Sequence, residues 1–270
     1  MTLIVGWIAC DNKGDTKKPS ALYFGSDSRY SWGYQHAFNY GKKVYAAKNL
    51  PEIFAFCGSA TFANMMIPPL IDLIDSGAFF KGDYPEIKVQ NFAVHVSSLV
   101  ASYVNDPVLN QTVILYGTKI NSHFSVFRFT FLNKSVQVNN VPLNDYSSII
   151  AVEGSGVKPL EERLKFPLLR KDLYSREICH YLADTIENSE EFTVGGIPQI
   201  VGLFKGKKEP QVFGFIKDDR SYLYGNEVDA SKCDKSIAWR NTDFEIIDPK
   251  TLKLQEGAQR QPFLRKGLIV

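Results

Sequence analysis

Residues 2–10 read Thr-Leu-Ile-Val-Gly-Trp-Ile-Ala-Cys, and a second apolar run, Ala-Leu-Tyr-Phe-Gly, follows at residues 21–25. Short apolar runs that are bounded by turn-forming residues are typical of strands buried on at least one face. The segment between them, residues 11–20, is polar and rich in Lys and Asp. The sequence therefore predicts a strand hairpin over 3–10 and 21–25.

The rest of the chain continues with alternating blocks of strands and helices. Apolar residues at helical spacing predict two helices, at 59–76 and 90–104, and Pro68 and Pro69 are expected to kink or interrupt the first. Shorter runs predict further strands and two later helices. The strands are at 43–47, 53–57, 112–116, 125–131, 136–141, 148–152, 199–204 and 211–216, and the helices are at 160–164 and 175–186. This order favours an α+β sandwich of antiparallel sheets over an alternating βαβ fold.

Composition and charge exclude several classes of function. Hydrophobic residues make up 44% and charged residues 22% of the 270 residues, which is ordinary for a globular protein with a sizeable core. The formal net charge of +2 leaves no broad basic field, so we expect no nucleic-acid partner. No apolar run approaches the ~18 residues of a membrane span, so we expect a cytoplasmic protein without a membrane partner.

Neither a metal nor an organic cofactor is predicted. The four cysteines form no C-x-x-C pair, and the four histidines form no H-E-x-x-H motif. Buried free thiols are the favoured interpretation of the cysteines.

Thr2 follows the initiator residue Met1 and is a candidate nucleophile. A threonine hydroxyl needs a base, and an N-terminal threonine carries one in its own α-amino group, whose reference pKa is ~7.7–8.0. Taken alone, a Met-Thr start has little weight. If Met1 is removed, however, the nucleophile and its base lie on one residue.

Six segments, in this order along the chain, resemble motifs of the proteasome β-subunit family and its simpler bacterial relatives. They are TLIVG at 2–6, GSDSR at 25–29, GKKVY at 41–45, CGSA at 57–60, EGSG at 153–156 and TVGG at 193–196. The resemblance covers residues 2–217. It implies an N-terminal-nucleophile (Ntn) hydrolase of the threonine-peptidase type, with a four-layer αββα sandwich of two antiparallel sheets between helix layers.

The resemblance assigns roles to three residues around the N-terminus. Thr2 would be the nucleophile once Met1 is removed, and Lys43 would lie beside it. The positive charge of Lys43 would favour the neutral form of the Thr2 amine. Asp27 would pair with Lys43 and fix its position. Lys42 is expected to be exposed, because successive strand residues face opposite sides.

The remaining site residues come from three turns. Gly58 would present its backbone N–H to the developing oxyanion, and Ser155 would form a hydrogen bond near the Thr2 amine. The family carries an Asp and a Ser where this chain has Glu191 and Val194. Glu191 would still supply a carboxylate, whereas Val194 has no hydrogen-bonding side chain, so Thr193 or water is expected to substitute.

Partners and domains follow from the same resemblance. We expect residues 1–217 to form the hydrolase domain. Residues 218–270 would be a C-terminal extension that packs on this domain and whose secondary structure the sequence does not assign. The substrate would be a peptide or unfolded protein, and the protein would form a homo-oligomeric ring through residues 59–78. An ATPase partner is left open. Tyr30, Tyr45 and Phe56 are expected to narrow the specificity pocket, so that only small residues fit before the scissile bond.

Two other functions remain open at this stage. One is an Ntn amidase that acts on a small molecule, which a solvent-open pocket without a ring assembly would favour. The other is a non-catalytic ring subunit of the proteasome kind, which retention of Met1 would favour.

Overall fold

A computed structural model describes residues 2–13, 16–33, 35–80, 84–104, 106–164 and 173–258. These residues form fifteen strands, four α-helices and two short 3-10 helices. In chain order they are β1 (Leu3–Lys13), β2 (Thr16–Ser26), β3 (Tyr30–Trp32), β4 (His36–Phe38), β5 (Val44–Ala46), β6 (Glu52–Cys57), α1 (Ala60–Asp75), α2 (Pro85–Ser102), η1 (Pro107–Gln111), β7 (Val113–Ile120), β8 (His123–Leu132), β9 (Ser135–Asn140), β10 (Ser148–Gly154), α3 (Val157–Leu164), α4 (Ser175–Asn188), β11 (Gln199–Phe204), β12 (Gln211–Lys217), β13 (Arg220–Leu223), β14 (Asn226–Val228), η2 (Ala230–Lys232) and β15 (Ala238–Asn241). Every strand and helix predicted above overlaps one of these elements.

The larger sheet brings three sequence-distant segments to one edge. Its strand order is β10-β1-β2-β11-β12-β13-β14, with β15 added parallel to β12. The register pairs Leu3 with Gly154 across β1 and β10, and Ile4 with Ser26 across β1 and β2. Residues 2, 27 and 155 therefore lie together where these three strands begin or end.

The smaller sheet delivers two further segments to the same region. Its antiparallel order is β5-β6-β7-β8-β9, and Val44 of β5 pairs with Ala55 of β6. Lys43 directly precedes β5, and Gly58 directly follows β6.

Three buried apolar clusters hold these elements together. One contains side chains from both sheets, including Ile4, Phe24, Ala55 and Leu115. A second joins the smaller sheet to α1 and α2, and a third joins the larger sheet to α3 and α4. The fold is thus mixed α and β, with antiparallel sheets and four helices in the described residues, as the sequence predicts.

Helix α1 runs without interruption through Pro68 and Pro69, so the expected break is absent. A proline removes the hydrogen bond to the carbonyl four residues earlier. Here those carbonyls belong to Asn64 and Met65, two residues on the exposed side of the helix. The N-terminus is stabilised by Ser59, whose hydroxyl accepts a hydrogen bond from the backbone N–H of Phe62 at 3.3 Å.

Two parts of the fold have no counterpart in the sequence prediction. Strands β3 and β4 form a separate two-stranded sheet, and β13, β14 and β15 extend the larger sheet beyond residue 217. The division of the chain at residue 217 stays a prediction. The last residues of the predicted C-terminal extension, 259–270, lie outside the described ranges. None of the described helices combines the length and apolarity needed to cross a bilayer.

Candidate active site

Thr2, Asp27 and Lys43 form one buried hydrogen-bonded group. The Lys43 Nζ donates to the Thr2 hydroxyl, and the Thr2 hydroxyl donates to Asp27 Oδ1. Lys43 also forms an ion pair with Asp27 Oδ1 at 2.9 Å. The exposed fractions of the three residues are 2%, 0% and 1%. The expected removal of Met1 concerns a residue outside the described ranges.

The Asp27 carboxylate is held by backbone donors from three segments. Its Oδ1 accepts a bond from the Leu3 N–H at 3.0 Å, and its Oδ2 accepts bonds from the N–H groups of Arg29 at 3.1 Å and Gly195 at 3.2 Å. Bonds to an ionised acceptor are stronger than those between neutral groups. These contacts fix the carboxylate that receives the Thr2 hydroxyl.

The pKa of Lys43 is determined by its burial and by the neighbouring carboxylate. Loss of solvent lowers the pKa of the Lys43 ammonium, and the Asp27 carboxylate opposes that shift. The backbone of Lys43 is fixed as well, since its N–H donates to Gln199 Oε1 at 3.1 Å and Gln199 Nε2 donates to the Gly41 carbonyl.

Gly58 occupies a turn that only glycine fits. Its φ is +99°, and a Cβ there would lie 2.5 Å from the Cα of Thr112. The next residue, Ser59, donates its N–H to Thr112 Oγ1 at 2.8 Å, which braces the turn. The preceding residue, Cys57, is a buried thiol whose pKa is raised by burial to about 12.

Glu191, Thr193 and Ser155 form a row of polar contacts that ends at Thr2. Glu191 Oε1 accepts the Thr193 hydroxyl at 2.8 Å, and the hydroxyls of Thr193 and Ser155 are 2.5 Å apart. Ser155 Oγ lies 3.5 Å from the Thr2 carbonyl, and its single proton is donated either to this carbonyl or to Thr193. Thr193 thus occupies the bonding role that Val194, which is buried in the apolar core, cannot take.

These groups border a pocket of about 360 Å³. Thr2, Lys43, Gly58, Tyr30 and Phe56 all line it. All of the predicted site residues therefore lie at or beside one pocket, with Asp27, Ser155 and Glu191 behind its wall and in contact with residues that line it.

Two expectations about neighbouring residues are wrong. Tyr45 lines a second cavity, of about 940 Å³, instead of the pocket beside Thr2. Lys42 is half-buried, with its Nζ 4.0 Å from the ring centroid of Tyr224 and 4.7 Å from that of Tyr45. Burial, assisted by Lys48, lowers the pKa of Lys42 to about 8. Tyr224 belongs to the segment after residue 217, whose structure the sequence left unassigned.

Sequence reasoning also missed several residues that line the pocket, among them Trp32, Asp106 and Gln111. Trp32 lies on the unpredicted strand β3. Asp106 precedes Pro107, and an Asp-Pro pair signals only a turn. The described residues contain no group of three or more His, Cys, Asp or Glu side chains that could hold a metal ion.

Comparison with known proteins shows the fold but no close relative. The sequence matches no family model, and no curated protein matches it at a significant level. Among solved structures, it is similar to a Gly-1 mutant of Anbu, a bacterial proteasome-related protein, from Hyphomicrobium sp. strain MC1. The TM-score is 0.54 with 14% sequence identity, and the match covers 83% of this chain and 87% of the other. The chain therefore has a proteasome-like fold.

Proposed function

We propose that this protein is a threonine-type peptidase in which Thr2, as the N-terminal residue, attacks the carbonyl carbon of a peptide bond. The observation that carries the proposal is the contact of the Thr2 hydroxyl with both Lys43 and Asp27 at the wall of a pocket. A nucleophilic hydroxyl requires a neighbouring base that is oriented by a third group. The proteasome-like fold supports the same proposal.

The proton of the Thr2 hydroxyl has a short path away from the oxygen. Because burial lowers the pKa of Lys43, its neutral form is more accessible than that of an exposed lysine. A neutral Lys43 accepts the proton as Thr2 Oγ bonds to the carbonyl carbon. Lys43 then gives that proton to the neutral α-amine of Thr2, which passes it to the leaving nitrogen as the C–N bond breaks. Asp27 stabilises the ammonium that forms, and Ser155, supported by Glu191 through Thr193, orients the Thr2 backbone.

The Gly58 turn stabilises the intermediate. An amide aimed at the position where negative charge develops is worth roughly 10²–10³ in rate when it is fixed beforehand. The brace from Thr112 to Ser59 supplies that rigidity. Water then hydrolyses the acyl-enzyme, and no metal or organic cofactor takes part.

The architecture we propose is the four-layer αββα sandwich, a homo-oligomeric ring built from such subunits, and a cytoplasmic location. The shared cluster between the two sheets and the helix clusters on their other faces support the layered arrangement. Residues 1–217 would form the hydrolase domain, with the later strands packed on it.

The experiment compares peptide hydrolysis by four proteins. They are the protein that begins at Thr2, its Thr2→Ala and Thr2→Ser variants, and a version with an uncleavable N-terminal extension. With an extension, the Thr2 nitrogen is an amide and cannot act as a base near neutral pH. We expect hydrolysis by the first protein, reduced hydrolysis by Thr2→Ser, and none by the other two. Equal rates for the extended and the mature protein would refute the proposal.

A further inference from the structure

The pocket beside Thr2 contains a carboxylate that the proposed reaction does not use. Asp106 lies in the turn between α2 and β7, where it begins η1, and its side chain lines the same pocket as Thr2 and Gly58. Asp106 is also joined to the oxyanion turn, because the hydroxyl of Ser59 donates to Asp106 Oδ2 at 2.7 Å. The carboxylate is therefore held in the same pocket as the proposed nucleophile.

The hydrogen bonds that Asp106 makes within the protein do not neutralise its charge. Its Oδ1 accepts the N–H of Val108 at 2.9 Å, and its Oδ2 accepts the Ser59 hydroxyl. A carboxylate offers about four acceptor directions, so two bonds leave capacity for a ligand. Asp106 takes part in none of the ion pairs found among the described residues, and its side chain is only half-buried.

With the α-amine of Thr2 in its neutral, reactive form, the described side chains of this pocket carry a net negative charge. Among the described residues that line it, Lys43 is the other one with an acidic or basic side chain, and Asp27 balances its charge whenever it is protonated. The walls add aromatic surface from Tyr30, Trp32 and Phe56. Aromatic faces attract a cation and also pack against the alkyl stem of a lysine or arginine side chain.

We infer that Asp106 makes this pocket selective for a substrate side chain that carries a positive charge next to the bond that is cut. The inference rests on the proposed function of Thr2. A lysine or arginine side chain packs its stem against the aromatic walls and brings its charge to Asp106. An acidic side chain is repelled by the same carboxylate, and a neutral one leaves it without a partner.

The test uses the unmodified protein that begins at Thr2 and a set of fluorogenic peptides. Each of the two positions that flank the scissile bond is varied separately among arginine, citrulline and glutamate. Citrulline has nearly the shape of arginine but no charge. At one of these positions we expect kcat/KM for arginine to exceed that for citrulline by about tenfold, and the preference to shrink as added salt screens the half-buried charge.

Two variants assign the preference to Asp106. Asp106→Asn keeps the acceptor oxygen for Val108 and should reduce the arginine-to-citrulline ratio to within about twofold. Asp72→Asn removes an equal charge from the exposed face of α1, outside this pocket, and should retain the wild-type ratio. The ratio compares two substrates of one protein, so a loss of folded material does not mimic the effect. A wild-type protein that shows no preference for arginine overturns the inference even if Asp106→Asn does not fold.

The possible outcomes separate this inference from the function on which it rests. Hydrolysis of the neutral peptides with no preference for arginine at either position overturns the role of Asp106 and leaves the peptidase proposal intact. An arginine preference that survives in Asp106→Asn also overturns it. If the protein that begins at Thr2 hydrolyses none of the peptides, both proposals fail together.

Discussion

At the scale of single residues, the buried amine of Lys43 has two roles that can be separated. It balances the charge of Asp27, and in the proposed reaction it accepts the proton of the Thr2 hydroxyl. Arginine can perform only the first role, because its guanidinium does not lose a proton in proteins.

We therefore expect Lys43→Arg to remain folded but to lose nearly all peptidase activity. Lys43→Ala should lose activity and also stability, on the order of 3–5 kcal/mol, because it leaves the buried Asp27 carboxylate without a positive charge beside it. Steady-state kinetics and urea unfolding of both variants are the measurements. Substantial activity in a folded Lys43→Arg protein would show that Lys43 serves only as a charge.

The pH dependence provides a second test of the same residue. The base must be neutral, so activity is present at high pH and is lost as pH falls through the pKa of that base. Because burial lowers the pKa of Lys43, the acid limb of kcat/KM should lie below the range of an ordinary lysine. A profile whose activity rises only near the pKa of an exposed lysine, about 10.4, would contradict this assignment.

Thr193 connects Glu191 to the turn that holds the Thr2 carbonyl. Thr193→Val has nearly the same shape but cannot bond to Ser155 or Glu191, so we expect kcat to fall by roughly tenfold, equivalent to ~1.4 kcal/mol. Thr193→Ser, which retains the hydroxyl, should recover most of that activity. Kinetics of the two variants at equal thermal stability are the check, and equal activity of both would remove Thr193 from the site.

Five of the six predicted site residues lie in short sequence motifs that follow one another in a fixed order. That is why these residues could be found from the sequence. The errors concern residues whose environment is made by distant segments. Lys42 was expected to be exposed, but Tyr224 covers it from a segment with no recognisable motif. Asp106 was missed because nothing in the local sequence connects its turn with Thr2.

At the scale of elements, a buried ion pair fastens α2 to the smaller sheet. Lys88 Nζ donates to Glu52 Oε1 at 2.5 Å, and the Tyr116 hydroxyl donates to Glu52 Oε2 at 2.7 Å. Lys88 is 3% exposed and Glu52 is fully buried. Burial raises the pKa of Glu52, and the contacts with Lys88 and Tyr116 oppose that shift.

Lys88→Met should destabilise the protein by roughly 3–5 kcal/mol at neutral pH, because it leaves the buried Glu52 carboxylate without a positive charge beside it. The double variant Glu52→Gln, Lys88→Met should recover part of that loss. For the single variant the cost should shrink as pH falls, since a carboxyl with a raised folded-state pKa gains protons there. Urea unfolding at several pH values is the measurement, and a single variant as stable as the wild type would show that the pair is not needed.

The order of the predicted elements could be found because each of these strands and helices has an apolar pattern in its sequence. Boundaries and irregular features were not. The prolines in α1 depart from the usual rule against proline in a helix interior, and the sequence did not reveal that the helix continues through them. Strands β3 and β4 are three residues long, which is too short for a periodic signal.

At the scale of the whole molecule, the outer surface of the helices includes large apolar side chains. Met65 and Leu73 of α1 are 64% and 40% exposed, and Val94 of α2 is 63% exposed. We expect a homo-oligomer that uses α1, with a mass that is a multiple of 30.4 kDa. Light scattering across micromolar concentrations is the measurement. Met65→Glu should weaken the assembly, and a monomer at all concentrations would remove the ring proposal.

The central claim is that Thr2 is the nucleophile of this protein, and the most direct measurement locates a covalent adduct. The protein that begins at Thr2 is treated with an epoxyketone and examined by intact mass and peptide mapping. Because Thr2 carries the only proposed nucleophile and the Cys57 thiol stays protonated, we predict one adduct per chain, on the N-terminal peptide, and none in Thr2→Ala. An unmodified mature protein, or an adduct that persists in Thr2→Ala, would contradict the account.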